Sequence, residues 1–453
     1  MKTVFLVIPH YVFTSDLLRT EYVKYLAQKY RVVVFTPFLG EEEAKKGNYF
    51  PSPNMTYVKW NLENPKFWKV FKLLRISLVG EFDYLSAMQY FYQRPNFLLH
   101  KKRRVLRFLG RPFSKILTVN FFTALEKFLL PRSKKFLGYL EKYNPDLLVT
   151  ATPGLKPVES EMIILAKKAG LATAAVNFTW DNLTTAAKFI RKTDYLIAWN
   201  DISKKEATDI HKYSPNKVFV AGVPRFDNYF IESPGELSRD DFLRSKNLDP
   251  KLKTLLFASK PKLYIEQLDH LRELIKARAS GGLAQPVNIL VRPHPLDEPE
   301  FYKEFADTTN LYVDQPAKRT SFDPLHEDKM EMDYGDLMNL KHTLKYCDVQ
   351  VQYGSTLAIE AALFDRAVVN IGFLKTMAHD KSYQTTHFWP IIESGAAPLA
   401  KNFGELIEWI NRYLRDPALD REKRARVAQE YVPFRDGLDY KRNVDFLEKI
   451  LNG

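Results

Sequence analysis

The chain has 453 residues, 45% of them apolar, and a formal net charge of +13. Its length exceeds that of one doubly wound domain and its apolar content is sufficient for two buried cores, so we expect two α/β domains. The single cysteine, Cys347, excludes an intrachain disulfide and a cysteine-rich metal site. No run of about eighteen apolar residues occurs, which argues against a transmembrane helix.

The amino-terminal residues have the pattern of the first half of a nucleotide-binding fold. Residues 3–8 are an apolar run, residues 16–30 have helical spacing, and residues 31–36 are a second apolar run. This order predicts strand, helix and strand. Pro9 and His10 interrupt the first run too early for a signal sequence. His10 is therefore predicted at the carboxyl edge of the first strand, where it could accept the proton of an acceptor hydroxyl.

The positive charge is concentrated in one stretch, residues 66–135. This stretch contains sixteen Lys and Arg against three acidic residues, and aromatic and leucine side chains are interleaved with the cations. Such a mixture at helical spacing suits the surface of an anionic leaflet. The alternatives are solvated helices packed on the first domain and a nucleic-acid surface, although no nucleic-acid-binding signature accompanies the patch. We predict a basic helical insertion at about residues 62–140 that faces the membrane, and no nucleic-acid partner.

A second candidate for proton transfer follows the predicted strand at residues 171–178. The turn after this strand contains Trp180, Asp181 and Asn182. A carboxylate at the edge of a sheet could take the proton from an acceptor hydroxyl. Alternatively, Asp181 and Asn182 form an Asx turn that caps the helix beginning near Thr184. Asp181 and His10 are thus two candidates for the catalytic base.

A donor-binding element is predicted where the apolar strand at residues 289–291 ends. The strand runs directly into Arg292, Pro293, His294 and Pro295. The two prolines restrict the backbone, so His294 is held at the carboxyl edge of a sheet, where ligands of open α/β sheets collect. His294 could donate a hydrogen bond to a phosphate or to a base carbonyl, and Arg292 would add a permanent positive charge.

Residues 346–372 have the pattern of a strand, a small-residue turn, a short helix and a strand, with Gly354, Ser355 and Thr356 at the start of the helix. Backbone N–H groups and hydroxyls at such a turn are suited to bind a phosphate. Glu360, one turn further on, could accept hydrogen bonds from ribose hydroxyls. Alternatively, Ser355 and Thr356 only cap a crossover helix and Glu360 is solvated.

Three common motifs are missing from the chain: Asp-x-Asp, GxGxxG and the P-loop lysine motif. Their absence argues against a metal-dependent transferase, a dinucleotide enzyme and a P-loop NTPase. A transferase without metal must stabilise its leaving group with backbone amides, a helix dipole and cations. We therefore expect no metal and no cofactor, with a nucleotide-linked donor as a substrate.

The RPHP segment, the GST turn and residues 178–229 together resemble the nucleotide-binding half of the GT-B glycosyltransferases. Within that fold they are most similar to the group of lipid A disaccharide synthase, UDP-N-acetylglucosamine 2-epimerase and the CDP-glycerol glycerophosphotransferases. The resemblance covers about residues 144–372. It implies two Rossmann-like domains facing a cleft, with an acceptor domain followed by a donor domain. Inverting members of the fold often have their base after the first strand, which favours His10, whereas the WDN turn favours Asp181.

The predicted domains are an acceptor domain at residues 1–238, a donor domain at 239–436, and a last helix at 437–453 that by resemblance crosses back to the first domain. A loop is predicted at residues 315–335, near the donor edge.

The sequence favours a metal-independent glycosyltransferase that moves a sugar from a nucleotide-sugar donor to a hydroxyl of a surface-polysaccharide or lipid-linked acceptor. We expect a cytoplasmic protein, peripheral at the inner face of the membrane. Alternatives with the same fold are a nucleotide-sugar 2-epimerase and a CDP-glycerol-type glycerophosphotransferase. An alternative from another class is a noncatalytic nucleotide-sugar-binding or membrane scaffold protein.

Overall fold

The computed structural model divides the chain into two units. Among the described residues, unit 1 comprises Met1–Asp227 and Phe434–Gly453, and unit 2 comprises those between Asn228 and Pro433. The division falls after Asp227, whereas the sequence analysis placed the boundary at residue 238. The structure describes residues 1–47, 49–93, 101–232, 235–261, 265–295, 297, 299–316, 318–319, 330–374, 379–385 and 387–453.

Unit 1 is built on a seven-stranded parallel sheet with the order β3-β2-β1-β4-β5-β6-β7. These strands are apolar runs whose side chains are buried on both faces, as expected of a parallel sheet covered by helices. The central strand β1 pairs with β2 on one side and with β4 on the other, and Val4 is opposite Val32 and Leu147 in these two pairs. The strands are β1 Thr3–Val7, β2 Arg31–Thr36, β3 Met55–Lys59, β4 Leu147–Thr150, β5 Ala172–Asn177, β6 Tyr195–Ala198 and β7 Val218–Val220.

The helix predicted at residues 16–30 is in fact two helices, Thr14–Leu17 and Glu21–Lys29. The second helix begins separately because the Thr20 side chain accepts a hydrogen bond from the backbone N–H of Tyr22. The other described helices of unit 1 are Glu41–Lys46, Pro65–Leu78, Ser86–Gln93, Lys101–Gly110, Val119–Leu129, Lys134–Tyr143, Pro157–Lys168, Asn182–Thr185, Asp201–Asp209, Pro224–Phe230, which contains the division, and Asp439–Asn452.

The basic part of the chain lies between β3 and β4 and is helical. Five of the described helices, from Pro65–Leu78 to Lys134–Tyr143, occupy this connection. Beneath them, Phe71, Val79, Phe82 and Phe122 form a separate apolar cluster. The side chains of residues 91–100, which belong to the predicted membrane-facing stretch, lie outside the described part of the chain.

Unit 2 is built on a six-stranded parallel sheet with the order β10-β9-β8-β13-β14-β15. Its strands are β8 Lys253–Ala258, β9 Val287–Arg292, β10 Leu311–Val313, β13 Val349–Gln352, β14 Ala367–Ile371 and β15 Leu399–Ala400. A separate antiparallel pair, β11 Lys318–Arg319 and β12 Met330–Glu331, lies within the segment predicted as a loop, of which residues 317 and 320–329 are outside the described residues.

The helices of unit 2 cover the sheet around a core formed by residues such as Phe257, Leu271, Ile289, Val351 and Ile410. In the described residues these helices are Arg239–Ser245, Glu266–Ala279, Tyr334–Tyr346, Leu357–Leu363, His379–Tyr383, Trp389–Glu393, Phe403–Arg415 and Arg421–Tyr431. The architecture is therefore α/β with two parallel sheets, and the predicted fold class is confirmed.

In both sheets the strand order reverses once, which creates a topological switch point. The reversal lies between β1 and β4 in unit 1 and between β8 and β13 in unit 2. At a switch point the two connecting segments leave in opposite directions, so a crevice opens at the carboxyl ends of the strands, and ligands of open α/β sheets bind there. This rule identifies the edge of each unit at which functional side chains are expected.

Candidate donor and acceptor sites

Three neighbouring strands bring the predicted donor-binding residues to one edge of unit 2. The order β9-β8-β13 places the turns after Arg292, Ala258 and Gln352 side by side. His294 lies in the first of these turns. The turn after β13 contains Gly354, Ser355 and Thr356, and so the two predicted elements meet at the carboxyl edge of unit 2.

His294 is held by its backbone and is neutral at physiological pH. Its N–H donates to Ser259 Oγ at 2.8 Å, which joins the turn after β9 to the turn after β8. Burial, with a smaller contribution from the positive charge of Lys260, lowers the pKa of His294 to about 4. A bound phosphate would offset the charge of Lys260 and favour a protonated imidazole. The site is therefore electrostatically suited to an anion.

Arg292 occupies a different environment from the one that the sequence suggests. Its side chain is buried, and Nη1 donates to Asp314 Oδ2 at 3.1 Å. Asp314 also accepts hydrogen bonds from Lys246 at 2.8 Å and from Asn339 at 2.7 Å. The guanidinium thus has its counter-charge within unit 2, and a direct contact from Arg292 to the donor stays a prediction.

The glycine turn after β13 is fixed by close packing. Gly354 has φ +71°, and a Cβ there would lie 2.9 Å from the ring of Tyr383 and 3.0 Å from that of Phe388. Ser355 Oγ accepts a hydrogen bond from the N–H of Leu357 at 3.3 Å, while the Thr356 side chain makes no capping bond. The short helix predicted after this turn is Leu357–Leu363. The turn combines a left-handed glycine with two hydroxyls.

Glu360 is buried, with 2% of its surface exposed. Its Oε2 accepts a hydrogen bond from the hydroxyl of Tyr229. This partner could not be predicted from the sequence, because the two residues are 131 positions apart and no local pattern connects them. A ribose contact by Glu360 stays a prediction. For that contact, the Glu360 carboxylate would have to accept hydrogen bonds from both Tyr229 and the ribose, or lose its bond from Tyr229.

In unit 1 the two candidate bases follow different strands of the same sheet. His10 comes after β1, and its Nδ1 accepts a hydrogen bond from the N–H of Val12 at 3.2 Å. Asp181 comes after β5, and its Oδ2 accepts from Thr185 Oγ1 at 3.1 Å. The strand order places β4 between β1 and β5. Asp181 is the residue before the helix Asn182–Thr185, but its side chain makes no capping hydrogen bond, so the Asx-turn alternative is wrong; the residue is half-buried at the edge.

Glu206 is a titratable residue near Asp181 that the sequence analysis did not identify. It lies on the helix Asp201–Asp209 that follows β6, and it is half-buried. Burial, together with the negative charge of Asp181, raises the pKa of Glu206 to about 8. A carboxyl with a raised pKa beside a second carboxyl group is a common arrangement for proton transfer. Glu206 could not be predicted as a site residue from the sequence, because nothing distinguishes it from the other polar residues of the same helix.

In the described part of the chain, no group of three or more His, Cys, Asp or Glu side chains is arranged to hold a metal ion. Among the described helices, none is both long enough and apolar enough to cross a bilayer.

Comparison with known proteins gives a family match over part of the chain and a likeness in fold to solved structures. Residues 116–327 match the family model described as CDP-Glycerol:Poly(glycerophosphate) glycerophosphotransferase. No curated protein sequence matches the chain.

Three solved structures illustrate the likeness in fold, each with 12% sequence identity. UDP-GlcNAc 2-epimerase from Neisseria meningitidis, bound to UDP-GlcNAc, has a TM-score of 0.53 and covers 99% of this chain and 100% of its own. A glycosyltransferase from Rickettsia africae ESF-5 has a TM-score of 0.51, with coverage of 99% and 98%. A variant of the wall teichoic acid polymerase TagF has a TM-score of 0.51, with coverage of 100% and 89%.

The fold is therefore the GT-B fold, and the resemblance to this group of enzymes is confirmed.

Proposed function

We propose that the protein is a GT-B transferase that takes a group from a nucleotide-activated donor and attaches it to a hydroxyl of a surface-polysaccharide or lipid-linked acceptor. The observation that carries this proposal is the meeting of His294, Ser259 and the Gly354 turn at the carboxyl edge of unit 2, beside its switch point. The match of residues 116–327 to a transferase family supports it independently.

On this proposal the donor phosphates bind at the turns after β8, β9 and β13. The backbone N–H groups near Gly354, the hydroxyls of Ser355 and Thr356, and the ammonium of Lys260 would stabilise the negative charge that develops on the leaving group. His294 is neutral before the donor binds, and in either protonation state it can donate a hydrogen bond to a phosphate oxygen. On this proposal these groups would stabilise the leaving group without a metal ion or a cofactor.

The acceptor hydroxyl needs a base, and unit 1 offers two. Asp181 at the end of β5 could take the proton directly, with Glu206 as its neighbouring carboxyl. His10 at the end of β1 could take it through its imidazole, with Nδ1 already accepting from Val12. In either case the acceptor oxygen forms a bond to the transferred group, the bond from that group to the nucleotide breaks, and the proton passes to the base.

A CDP-glycerol-type glycerophosphotransferase is the second candidate, and the family match specifically favours it. In that reaction the acceptor oxygen would attack the phosphorus that carries glycerol, and CMP would leave. The main proposal, transfer of a sugar, differs in that attack occurs at the anomeric carbon. A nucleotide-sugar 2-epimerase and a noncatalytic binding or scaffold protein remain the further alternatives.

The exposed surface of the insertion supports a peripheral position on the cytoplasmic face of a membrane. Phe108 is 72% exposed, Phe113 57%, Ile116 64% and Phe128 82%. Large apolar patches on a protein surface often mark sites of interaction with a membrane or another protein, and these four side chains come from one stretch of the chain. The cations of the same stretch complement an anionic leaflet, and each is worth about 1 kcal/mol near such a surface.

Thermal-shift measurements with UDP-, GDP-, CDP-, CMP- and dTDP-linked donors, and with CDP-glycerol, test the donor class. A donor at about 100 times its dissociation constant stabilises the folded state by about 2.7 kcal/mol. We expect a selective shift with one nucleotide that is lost in His294→Ala, followed by release of that nucleotide when an acceptor is added. No shift with any of them would favour the scaffold alternative, and turnover of a nucleotide sugar without an acceptor would favour the epimerase.

A further inference from the structure

A cavity with positively charged walls lies in unit 1, at the end of the basic stretch. It has a volume of about 240 Å³ and opens between the start of the helix Lys134–Tyr143 and the end of the helix Pro157–Lys168. Arg132 and Lys168 contribute the charged wall, and Phe136, Leu137 and Leu165 the apolar wall. This volume is several times the ~30 Å³ that one water molecule occupies in the liquid.

The two cations of the cavity are not balanced by a carboxylate among the residues that line it. Lys168 donates one hydrogen bond to the backbone carbonyl of Leu130, which leaves two of its N–H groups for a ligand. Its pKa is lowered by burial and by the positive charges of Arg132 and Lys127. These cations repel one another, and a ligand with two negative charges would relieve the repulsion.

The apolar residues of the cavity lie near exposed apolar residues of the insertion along the chain. Phe136 and Leu165 are buried at the back, whereas Leu137 is 42% exposed. Phe128 and Leu129, which precede Arg132 by four and three positions, are 82% and 47% exposed. A ligand in this cavity would therefore have an anionic group near Arg132 and Lys168, and its apolar part could follow Leu137 toward the surface.

We propose that this cavity binds the phosphomonoester headgroup of an anionic lipid while the insertion lies on the membrane. Charge complementarity selects a dianionic phosphate, and the apolar rim selects a lipid rather than a soluble phosphate. The inference rests on the proposed membrane association and adds a specific lipid chemistry to it.

Binding to vesicles of phosphatidylcholine with either phosphatidic acid or phosphatidylglycerol, at equal surface charge and about 0.15 M salt, tests the proposal. We expect the full-length protein to bind the phosphatidic acid vesicles at least fivefold more tightly. The double variant Arg132→Gln/Lys168→Gln should lose this preference. The matched control Lys101→Gln/Lys102→Gln removes the same charge outside the cavity, and it should weaken both vesicle types equally and keep their ratio.

A second variant distinguishes loss of binding from loss of folding, because replacing Lys168 also removes its hydrogen bond to the backbone carbonyl of Leu130. Leu137→Glu places a carboxylate at the exposed rim and removes no hydrogen bond that the wild type makes. It too should abolish the preference. The proposal is overturned if the cavity variants keep the preference of the wild type, or if the wild type shows none.

Titration with soluble glycerol phosphate separates the two sources of the phosphate. The lipid assignment would be overturned if the wild type binds glycerol phosphate, the cavity variants do not, and the wild type shows no preference between the vesicles. The occupant would then be a free phosphate. The donor-induced thermal shift is measured in parallel. If no donor shifts the melting temperature but the protein still prefers phosphatidic acid vesicles, the result contradicts the proposed transferase function and leaves the lipid site supported.

Discussion

Arg75 and Glu126 form an ion pair at 3.2 Å in which both side chains are completely buried. Glu126 also accepts a hydrogen bond from Arg191 at 2.7 Å. Arg75 in turn donates to the backbone carbonyls of Lys188 and Ile190, at 2.6 Å and 2.9 Å. This network joins the helices Pro65–Leu78 and Val119–Leu129 of the basic insertion to the segment between β5 and β6. One carboxylate thus pairs with two buried guanidinium groups and offsets one of their two positive charges.

Removing the negative charge of Glu126 should destabilise unit 1 strongly. In Glu126→Gln both Arg75 and Arg191 keep their buried positive charges without a counter-charge, and breaking a buried pair from one side costs about 3–5 kcal/mol. Urea unfolding followed by far-UV circular dichroism measures the loss. Glu141→Gln, at an exposed position of the same insertion, is the control and should change stability little. Equal stability of the two variants would contradict the structural role of the network.

Gly222 and Asp439 test the docking of the last helix on unit 1. Gly222 has φ +73°, and a Cβ there would lie 2.1 Å from the Asp439 carboxylate, which accepts a hydrogen bond from Val223 at 2.9 Å. Gly222→Ala should cost more than the roughly 1–2 kcal/mol of left-handed strain alone. Gly170 has a similar backbone conformation, with φ +77°, and open space around it. Gly170→Ala should therefore lower the stability only by the cost of the left-handed strain. If the melting temperatures of the two variants agree, the close approach at Gly222 is not important for stability.

Glu206 should make the stability of unit 1 depend on pH in a defined direction. Its folded-state pKa of about 8 is raised from the ordinary value of 4.5. The folded protein therefore binds more protons than the unfolded chain between these values, and its stability falls as pH rises from 4.5 toward 8, by at most about 1.4 kcal/mol per pH unit. Glu206→Gln should remove this dependence, so the variant gains stability relative to the wild type at pH 8 but not at pH 4.5.

Urea midpoints of both proteins across this range provide the measurement for Glu206. Other buried carboxyls, such as Glu159 and Asp439, also have raised pKa values of about 8, but they titrate in both proteins and cancel in the difference. Parallel pH profiles for the wild type and Glu206→Gln would show that Glu206 is ionised in the folded state.

His294 should contribute to donor binding without being required for folding. His294→Ala removes one hydrogen bond to a phosphate in a partly dry site, so we expect donor affinity to fall by about 1–3 kcal/mol. Lys276→Ala, at an exposed position of unit 2, is the control and should bind the donor as the wild type does. Isothermal titration with the donor identified by the thermal shift gives both values. An unchanged affinity in His294→Ala would remove this residue from the site.

The exposed aromatic residues of the insertion should insert into a membrane. In the triple variant Phe108→Ser/Phe113→Ser/Phe128→Ser the loss of apolar contact should weaken binding to anionic vesicles at least tenfold, because full burial of one such side chain is worth about 1.5–3 kcal/mol. Their exposure in the structure implies that the fold is unaffected. Ile265→Ser, at a 68% exposed position of unit 2, should bind vesicles as the wild type does. Undiminished binding by the triple variant would count against insertion of this surface.

Much of the fold could be predicted because its signals are local. The apolar runs of β1, β2 and β9 and the last helix lie close to their predicted positions. The structure has this helix at Asp439–Asn452. Strand, turn and helix depend on spacing and on glycine and proline over a few residues, and a sequence displays this directly.

The sequence by itself determined which residues end the strands of each unit, and therefore that His294 and the Gly354 turn lie at the carboxyl edge of the sheet of unit 2. Only the tertiary structure decided what each side chain contacts there. It paired Arg292 with Asp314, Glu360 with Tyr229, and Glu206 with the charge of Asp181. The physical reason is that burial and charge neutralisation depend on neighbours from distant parts of the chain. Backbone conformation, in contrast, is largely fixed by residues a few positions away.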